Sequence, residues 1–215
     1  MSVHLPPEEI EAESFRMIDE EVGPHPWSPA EWPVVRRAIH TSADFDYARS
    51  MVFSRHAISH GVAALKEGKG IVTDTTMALS GINKGRLARW GAPAACFVAD
   101  LEVAREAKSR GVTRSLVAIG RGAADPVNGI FVIGNAPTAL FELIRLVRQE
   151  GVRPDLIVGL PVGFVGAAES KEALLALEEE LPEVAFITNR GRKGGSNVAA
   201  AVVNALLILA EESVR

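Results

Sequence analysis

The chain has 215 residues, a formal charge of −4 and a hydrophobic fraction of 47%, enough for one sizeable core and short for two full domains, so residues 1–215 are read as a single domain. The acidic balance argues against bulk binding to nucleic-acid phosphates, and an aromatic content of 6% argues against a platform of stacked rings. The single cysteine, Cys96, allows no internal disulfide, and its setting in AACFVA reads as a buried strand rather than a reactive thiol.

The start, MSVHLPPEEIEAESF, is acidic and has no basic region followed by an apolar core. No apolar run reaches the roughly 18 residues of a membrane span. These features predict a cytoplasmic protein. After Pro7, the segment EEIEAESFRMIDEEV repeats apolar residues at near-helical spacing and stops at Gly23. In PHPWSPAEWPVVRRAIH, Ser28 before Pro29 reads as an N-cap with a first-turn proline, and the helix carries Val34, Val35, Ala38 and Ile39 to an end near His40. Helical patterning resumes in DYARSMVF and in RHAISHGVAALKEG.

The pattern then changes to short apolar runs alternating with helices: GIVTDT, AACFVAD, GIFVIGN, DLIVGLP and VAFITN. Such runs are what parallel strands buried on both faces look like. The segment RSLVAIGRG fits helix or strand. The alternation predicts an α/β fold with a three-layer, doubly wound parallel sheet and extra N-terminal helices, with ligands outside the carboxyl ends of the strands.

Those strand ends hold TDTTM, GNAPTA, GLPVGFVGAAESK and NRGRKGGSN. Each leads into a helix, whose free backbone N–H groups suit an anion. Arg190, Arg192 and Lys193 add positive charge there, so the pattern predicts a ligand with several negative groups. No phosphate loop, nucleophile elbow, HExxH or CxxC occurs, and GRGAAD at Gly120 lacks the third glycine of a dinucleotide loop. His56 and His60 have the spacing of two metal ligands on a helix but no evident third, and no metal site is expected.

Taken together, IEAESFRMID, RAIHTSADFDYA, TDTTMALSGIN, GVTRS, GIFVIGNAPTALF, LPVGFVGAAESKEAL and RGRKGGSNVAAA resemble, in this order and over nearly the whole chain, the precorrin-8X methylmutase family. The resemblance implies a flavodoxin-like fold, a homodimer, no cofactor, and an isomerase of the cobalamin pathway. Its substrate is a tetrapyrrole polycarboxylate, precorrin-8X or cobalt-precorrin-8, in which a methyl group moves from carbon 11 to carbon 12 to give hydrogenobyrinic or cobyrinic acid. The family's catalytic histidine matches His40 in RAIHTSADF, and Ser14 in AESFR and Arg114 in VTRS match other active-site positions. Arg37, one helical turn before His40, is expected to bind substrate. The expected substrate-binding set is completed by Thr41, Asp74, Thr75, Asn135, Thr138, Arg190, Arg192, Gly194, Gly195 and Ser196. In this reading His40 is an acid that protonates or hydrogen-bonds a ring C nitrogen. An imidazole titrates near pH 6.5, and Asp44, Asp46, the helix C-terminus or the substrate's own carboxylates are expected to favour its cation. The sequence departs from the family pattern at GRGAADPVNG, at the length of ALEEELPEVAF, and at Asn189, where an aliphatic residue is usual. Two other readings share the same sheet edge: a non-catalytic tetrapyrrole carrier, and a flavin or dinucleotide oxidoreductase.

Overall fold

Strand segments of two to six residues, each bounded by turn residues, pair into a six-stranded sheet in the order β1-β6-β5-β4-β2-β3. The computed structural model describes residues 6–214; residues 1–5, part of the acidic opening read above, lie outside them. The strands are β1 (Met51–Phe53), β2 (Gly70–Thr73), β3 (Ala94–Ala95), β4 (Asn128–Ile133), β5 (Leu156–Gly159) and β6 (Phe186–Asn189). All neighbours run parallel except β1, which lies antiparallel along β6 with Met51 opposite Asn189. Without β1, the parallel strands follow the flavodoxin-like order, whose switch point falls between β2 and β4.

Alternation within each strand explains the continuous apolar runs. Ile71, Ile130, Val132, Leu156 and Val158 point to one face, against α2 (Trp32–Ser42), α4 (Ala57–Lys66) and α11 (Ser196–Glu212). Val72, Phe131, Ile133, Ile157 and Phe186 point to the other, against α8 (Arg114–Ala123), α9 (Pro137–Gln149) and α10 (Ala167–Glu180). Each such buried side chain contributes about 1.5–3 kcal/mol. The first face also carries α5 (Thr76–Gly81) and α6 (Lys84–Trp90), with α1 (Pro7–Val22) packed on the outside of α2.

Several sequence expectations are corrected. DYARSMVF is not one helix: α3 (Tyr47–Ser50) stops and the chain enters β1, whose backbone pairs with β6. The run AACFVAD contributes only Ala94–Ala95, because an edge strand with a single neighbour needs no longer ladder; Cys96 is half-buried beyond its end. The ambiguous RSLVAIGRG is helix α8, which follows α7 (Leu101–Arg110). Helix α2 starts at Trp32, later than expected, because Ser28 and Glu31 cap the preceding turn through bonds from the Ser28 N–H and hydroxyl to the Glu31 carboxylate. The apolar surface of α11 is covered by α2, α4 and α5 within the chain. Among the described residues no helix is long and apolar enough to cross a membrane.

Candidate active site

The carboxyl edge of the sheet carries four loops, after β2, β4, β5 and β6, and the first two meet at the switch point. There Asp74 is fully buried, and its carboxylate accepts hydrogen bonds from the backbone N–H groups of Gly134 (2.9 Å), Asn135 (2.9 Å) and Ala136 (2.7 Å). Burial pushes the Asp74 carboxyl up, and the three N–H donors pull it back in part. Asp74, expected to bind substrate, is instead closed off from solvent, and the N–H groups of Gly134, Asn135 and Ala136, expected to suit an outside anion, are committed to it. The residue braces one loop against the next.

A second brace joins β2 to α11. Thr75 caps α5, accepting from the Ala78 N–H at 3.1 Å, and its hydroxyl shares a 2.8 Å hydrogen bond with the Ser196 hydroxyl. Ser196, expected to bind substrate, is only 7% exposed, and its hydroxyl is engaged in this contact. Gly195 is likewise committed, donating its N–H to the Leu160 carbonyl at 3.0 Å. Gly194 is pressed against β5's end, where a Cβ would stand 2.3 Å from the Leu160 oxygen; only glycine fits.

His40 lies in the last turn of α2, half-buried, with Phe15 meeting its ring edge-on at 5.2 Å between centroids. The guanidinium groups of Arg36 and Arg37 sit over the same Phe15 ring, at 4.4 and 4.8 Å. Arg37 also pairs with Glu11 at 2.5 Å, and this bond holds the Glu11 carboxyl below its ordinary range. Ser14 stands beside Phe15 and donates its hydroxyl to the Ile10 carbonyl at 2.8 Å. Just past His40, Ala43 takes a left-handed conformation (φ 53°) and ends the helix. The turn brings Asp44 and Asp46 to Lys193, at 2.6 and 2.5 Å. Lys193 keeps the Asp44 carboxyl below its usual range, so the expectation that these carboxylates attend the imidazole is corrected: their partner is the ammonium of the β6 loop. Thr41 is exposed, and its carbonyl accepts from the Asn197 side chain on α11 at 3.5 Å. Through Asn197, Ser196 and Thr75, the end of α2 is thus connected to the switch point.

On the other side of the switch point, Asn135 is exposed and Thr138 opens α9. The Thr138 hydroxyl bonds that of Thr113 at 2.8 Å, and Thr113 caps α8, so Arg114, the exposed first residue of α8, is held next to α9. Arg190 and Arg192 are exposed on the β6 loop, with Arg192 over the Phe164 ring at 5.7 Å. Phe164 and Val165 are 83% and 91% exposed and form an apolar shelf on the β5 loop. Most arginines pair with carboxylates, but among the described residues Arg49, Arg114, Arg190 and Arg192 at this edge have no carboxylate within salt-bridge distance. Donors beside an apolar shelf suit a flat ligand with peripheral carboxylates.

The sequence reading missed Phe15, Phe164, Arg49 and Lys171. Lys171 is fully buried, and its amine donates to the Asn189 side-chain oxygen at 3.1 Å and the Lys193 carbonyl at 2.6 Å. Asn189 in turn donates to the same carbonyl at 2.9 Å, so the two side chains clamp the β6 loop from beneath. Burial alone brings the Lys171 amine down to about 8. Its signal was present: Ala167, Ser170, Lys171, Leu174 and Leu177 share one helix face and are all buried. Among the described residues no three His, Cys, Asp or Glu side chains gather as metal ligands, and His56 and His60 stack on each other in solvent. A cleft of about 400 Å³ beside His56 lies at the opposite edge of the sheet.

The precorrin-8X methylmutase family model matches residues 9–209. A cobalt-precorrin-8 methylmutase from Priestia megaterium is 48% identical over 97% of this chain and 90% of its own length. A precorrin-8X methylmutase from Pseudomonas aeruginosa is 42% identical over 79% of this chain and 80% of its own. Among solved structures, the precorrin-8X methyl mutase from Thermus thermophilus superposes with a TM-score of 0.85 at 42% identity, covering 95% of this chain and 98% of that one. With a sheet of the expected order, the strand-end loops gathered on one edge, and a match over nearly its whole length, the chain belongs to the precorrin-8X methylmutase family.

Proposed function

We propose that the chain, acting as one domain, isomerises a contracted tetrapyrrole of cobalamin biosynthesis by moving its methyl group from carbon 11 to carbon 12, with His40 as the proton donor. One carbon–carbon bond breaks and one forms within the same molecule, so the step needs no redox partner and no nucleophile. It needs electron density drawn out of the conjugated ring while the methyl is in transit. The observation that carries this reading is His40 itself: half-exposed at a helix end, fixed edge-on by Phe15, and set on the edge that holds the unpaired arginines and the Phe164 shelf. Rigid bracing by Asp74 and by the Thr75–Ser196 pair supports a preformed site, which suits a rearrangement whose reactant and product differ little in shape.

Ser14, Arg37, Thr41, Arg114, Asn135, Thr138, Arg190, Arg192 and Gly194 form the substrate-facing set in this reading; Asp74, Thr75, Gly195 and Ser196 act as braces. The relatives at 48% identity from three bacteria are named for the cobalt-loaded substrate, which supports cobalt-precorrin-8 as the form used here. A homodimer belongs to the same proposal, supported by the bare apolar side chains Phe164 and Val165 beside the site and by Ile10 and Met17 on α1.

The test is His40→Ala. If the histidine acts in the transition state, the variant folds and binds the product, while turnover followed by ultraviolet-visible spectroscopy on cobalt-loaded and metal-free substrate falls by about 100- to 10,000-fold. A folded variant with near wild-type turnover removes His40 from the mechanism.

A further inference from the structure

At the carboxyl edge, where β1 begins against the end of β6, the surface dips into a hollow of about 360 Å³, and of its lining only Arg190 and Arg192 have a part in the function proposed above. Arg49, Arg190 and Arg192 rim it, and beside them lies the Lys193–Asp46 pair. The three guanidinium groups have no carboxylate partner among the described residues, in a chain where most others do. Lining the hollow is Ser50, whose hydroxyl oxygen is buried and has no hydrogen-bond partner, although its backbone carbonyl accepts from the Arg190 N–H at 2.8 Å. A buried hydroxyl left unsatisfied is destabilising, and native structures leave few of them. The backbone on both sides is fixed, on one by the β1–β6 ladder and on the other by the Lys171–Asn189 clamp under the loop. A hollow with three guanidinium groups that lack a carboxylate partner among the described residues, a rigid frame and an unsatisfied hydroxyl in its lining residue Ser50 suits an anion with two acceptor oxygens.

We propose that this hollow is a carboxylate subsite, in which Arg49 and Ser50 join Arg190 and Arg192 in holding one peripheral carboxylate of the tetrapyrrole. This rests on the function proposed above and adds Arg49 and Ser50 to its substrate-binding residues. The planar fork of Arg49 takes both oxygens, and the Ser50 side chain turns about its Cα–Cβ bond so that the hydroxyl, closed off in the empty hollow, donates to one of them. Arg192 also lies over Phe164, so the subsite continues into the apolar shelf: the macrocycle rests on the phenylalanine while its side chain reaches into the hollow.

Two measurements test it. First, titration with cobyrinic acid followed by its absorption: Arg49→Ala weakens affinity by about ten- to hundredfold and Ser50→Ala by a smaller factor, with circular dichroism unchanged. Arg55→Ala, which removes an exposed arginine beyond β1 at the opposite edge, leaves affinity as in the wild type. Second, tricarballylate, a small tricarboxylate, added to the ¹⁵N-labelled protein shifts the amide signals of Ser50 and of residues 190–193, and Arg49→Ala abolishes the shifts. Wild-type affinity for cobyrinic acid in Arg49→Ala overturns the subsite and leaves the isomerase reading standing. Failure of the wild type to bind cobyrinic acid overturns that reading, and the tricarballylate titration still decides the subsite. Equal shifts with inorganic phosphate mark a general anion site and overturn the carboxylate assignment.

Discussion

Replacing Asp74 separates bracing from binding. In Asp74→Ala the three backbone donors of the β4 loop lose their acceptor; those of Gly134 and Ala136 are buried and have no water to turn to. At about 1–3 kcal/mol for each buried donor left unsatisfied, the variant is less stable by about 2–6 kcal/mol. Asp74→Asn keeps one oxygen, which in its better orientation serves Asn135 and Ala136 while the amide nitrogen faces the Gly134 N–H. One donor is then orphaned, and the loss is about 1–3 kcal/mol. Because burial raises the folded-state value of this carboxyl, its contribution is fully present below its unfolded value of 3.8 and diminishes as pH rises through the folded one. The advantage of the wild type over Asp74→Asn is therefore larger at acid pH than at pH 7. Urea unfolding at both pH values measures both quantities. An Asp74→Ala protein within about 0.5 kcal/mol of the wild type would refute the bracing role.

Lys171→Met leaves the Asn189 oxygen and the Lys193 carbonyl without a buried donor and loosens the β6 loop, which faster hydrogen exchange at residues 190–195 would report. In the wild type this amine releases its proton at about 8 when folded and near 10.5 when unfolded, so unfolding free energy rises across that window, by roughly 3 kcal/mol at 1.36 kcal/mol per unit. The Met variant lacks the rise, and an unchanged pH dependence between pH 8 and 10.5 would contradict the assignment. Gly134→Ala puts a Cβ 2.6 Å from the Ser196 Cα, backbone against backbone, so the β4 loop or the start of α11 shifts and both stability and turnover fall. A fully active, equally stable Gly134→Ala protein would show that this approach is not needed.

Strands β2, β4, β5 and β6 were legible because burial on both faces demands unbroken apolar runs, and Ile130 to Ile133 alternate between the two cores. Strand β1 was not, because three residues carry no period and its pairing is with β6, far along the chain. The position of His40 near the end of a helix followed from the apolar spacing before it, even though the start of that helix was misplaced. What a polar side chain binds is a different matter. Asp74 reads as an anion-site residue at a strand end, and nothing local reveals that its donors lie some sixty residues on. Thr75 and Ser196 satisfy each other across an even longer separation. The charges were legible as a set, but which arginines stay unpaired depends on where the carboxylates fall after folding.

The attachment of α1 has a consequence for how readily His40 is uncovered. Among its described residues only Ile18 is buried, while Ile10 and Met17 face solvent. Its polar ties run to α2: Trp32 and Arg36 donate to Asp19 at 3.0 and 2.8 Å, and Arg37 reaches Glu11. Such partly exposed pairs contribute little each. The sheet loops, by contrast, are cross-linked through buried groups. Separating α1 from α2 is therefore expected to cost less than opening the braced sheet loops, which faster hydrogen exchange in α1 than in residues 134–136 would report. Ser14 and Phe15 travel with that helix, so the same motion exposes His40 and removes the ring packed against it, and its return restores that contact.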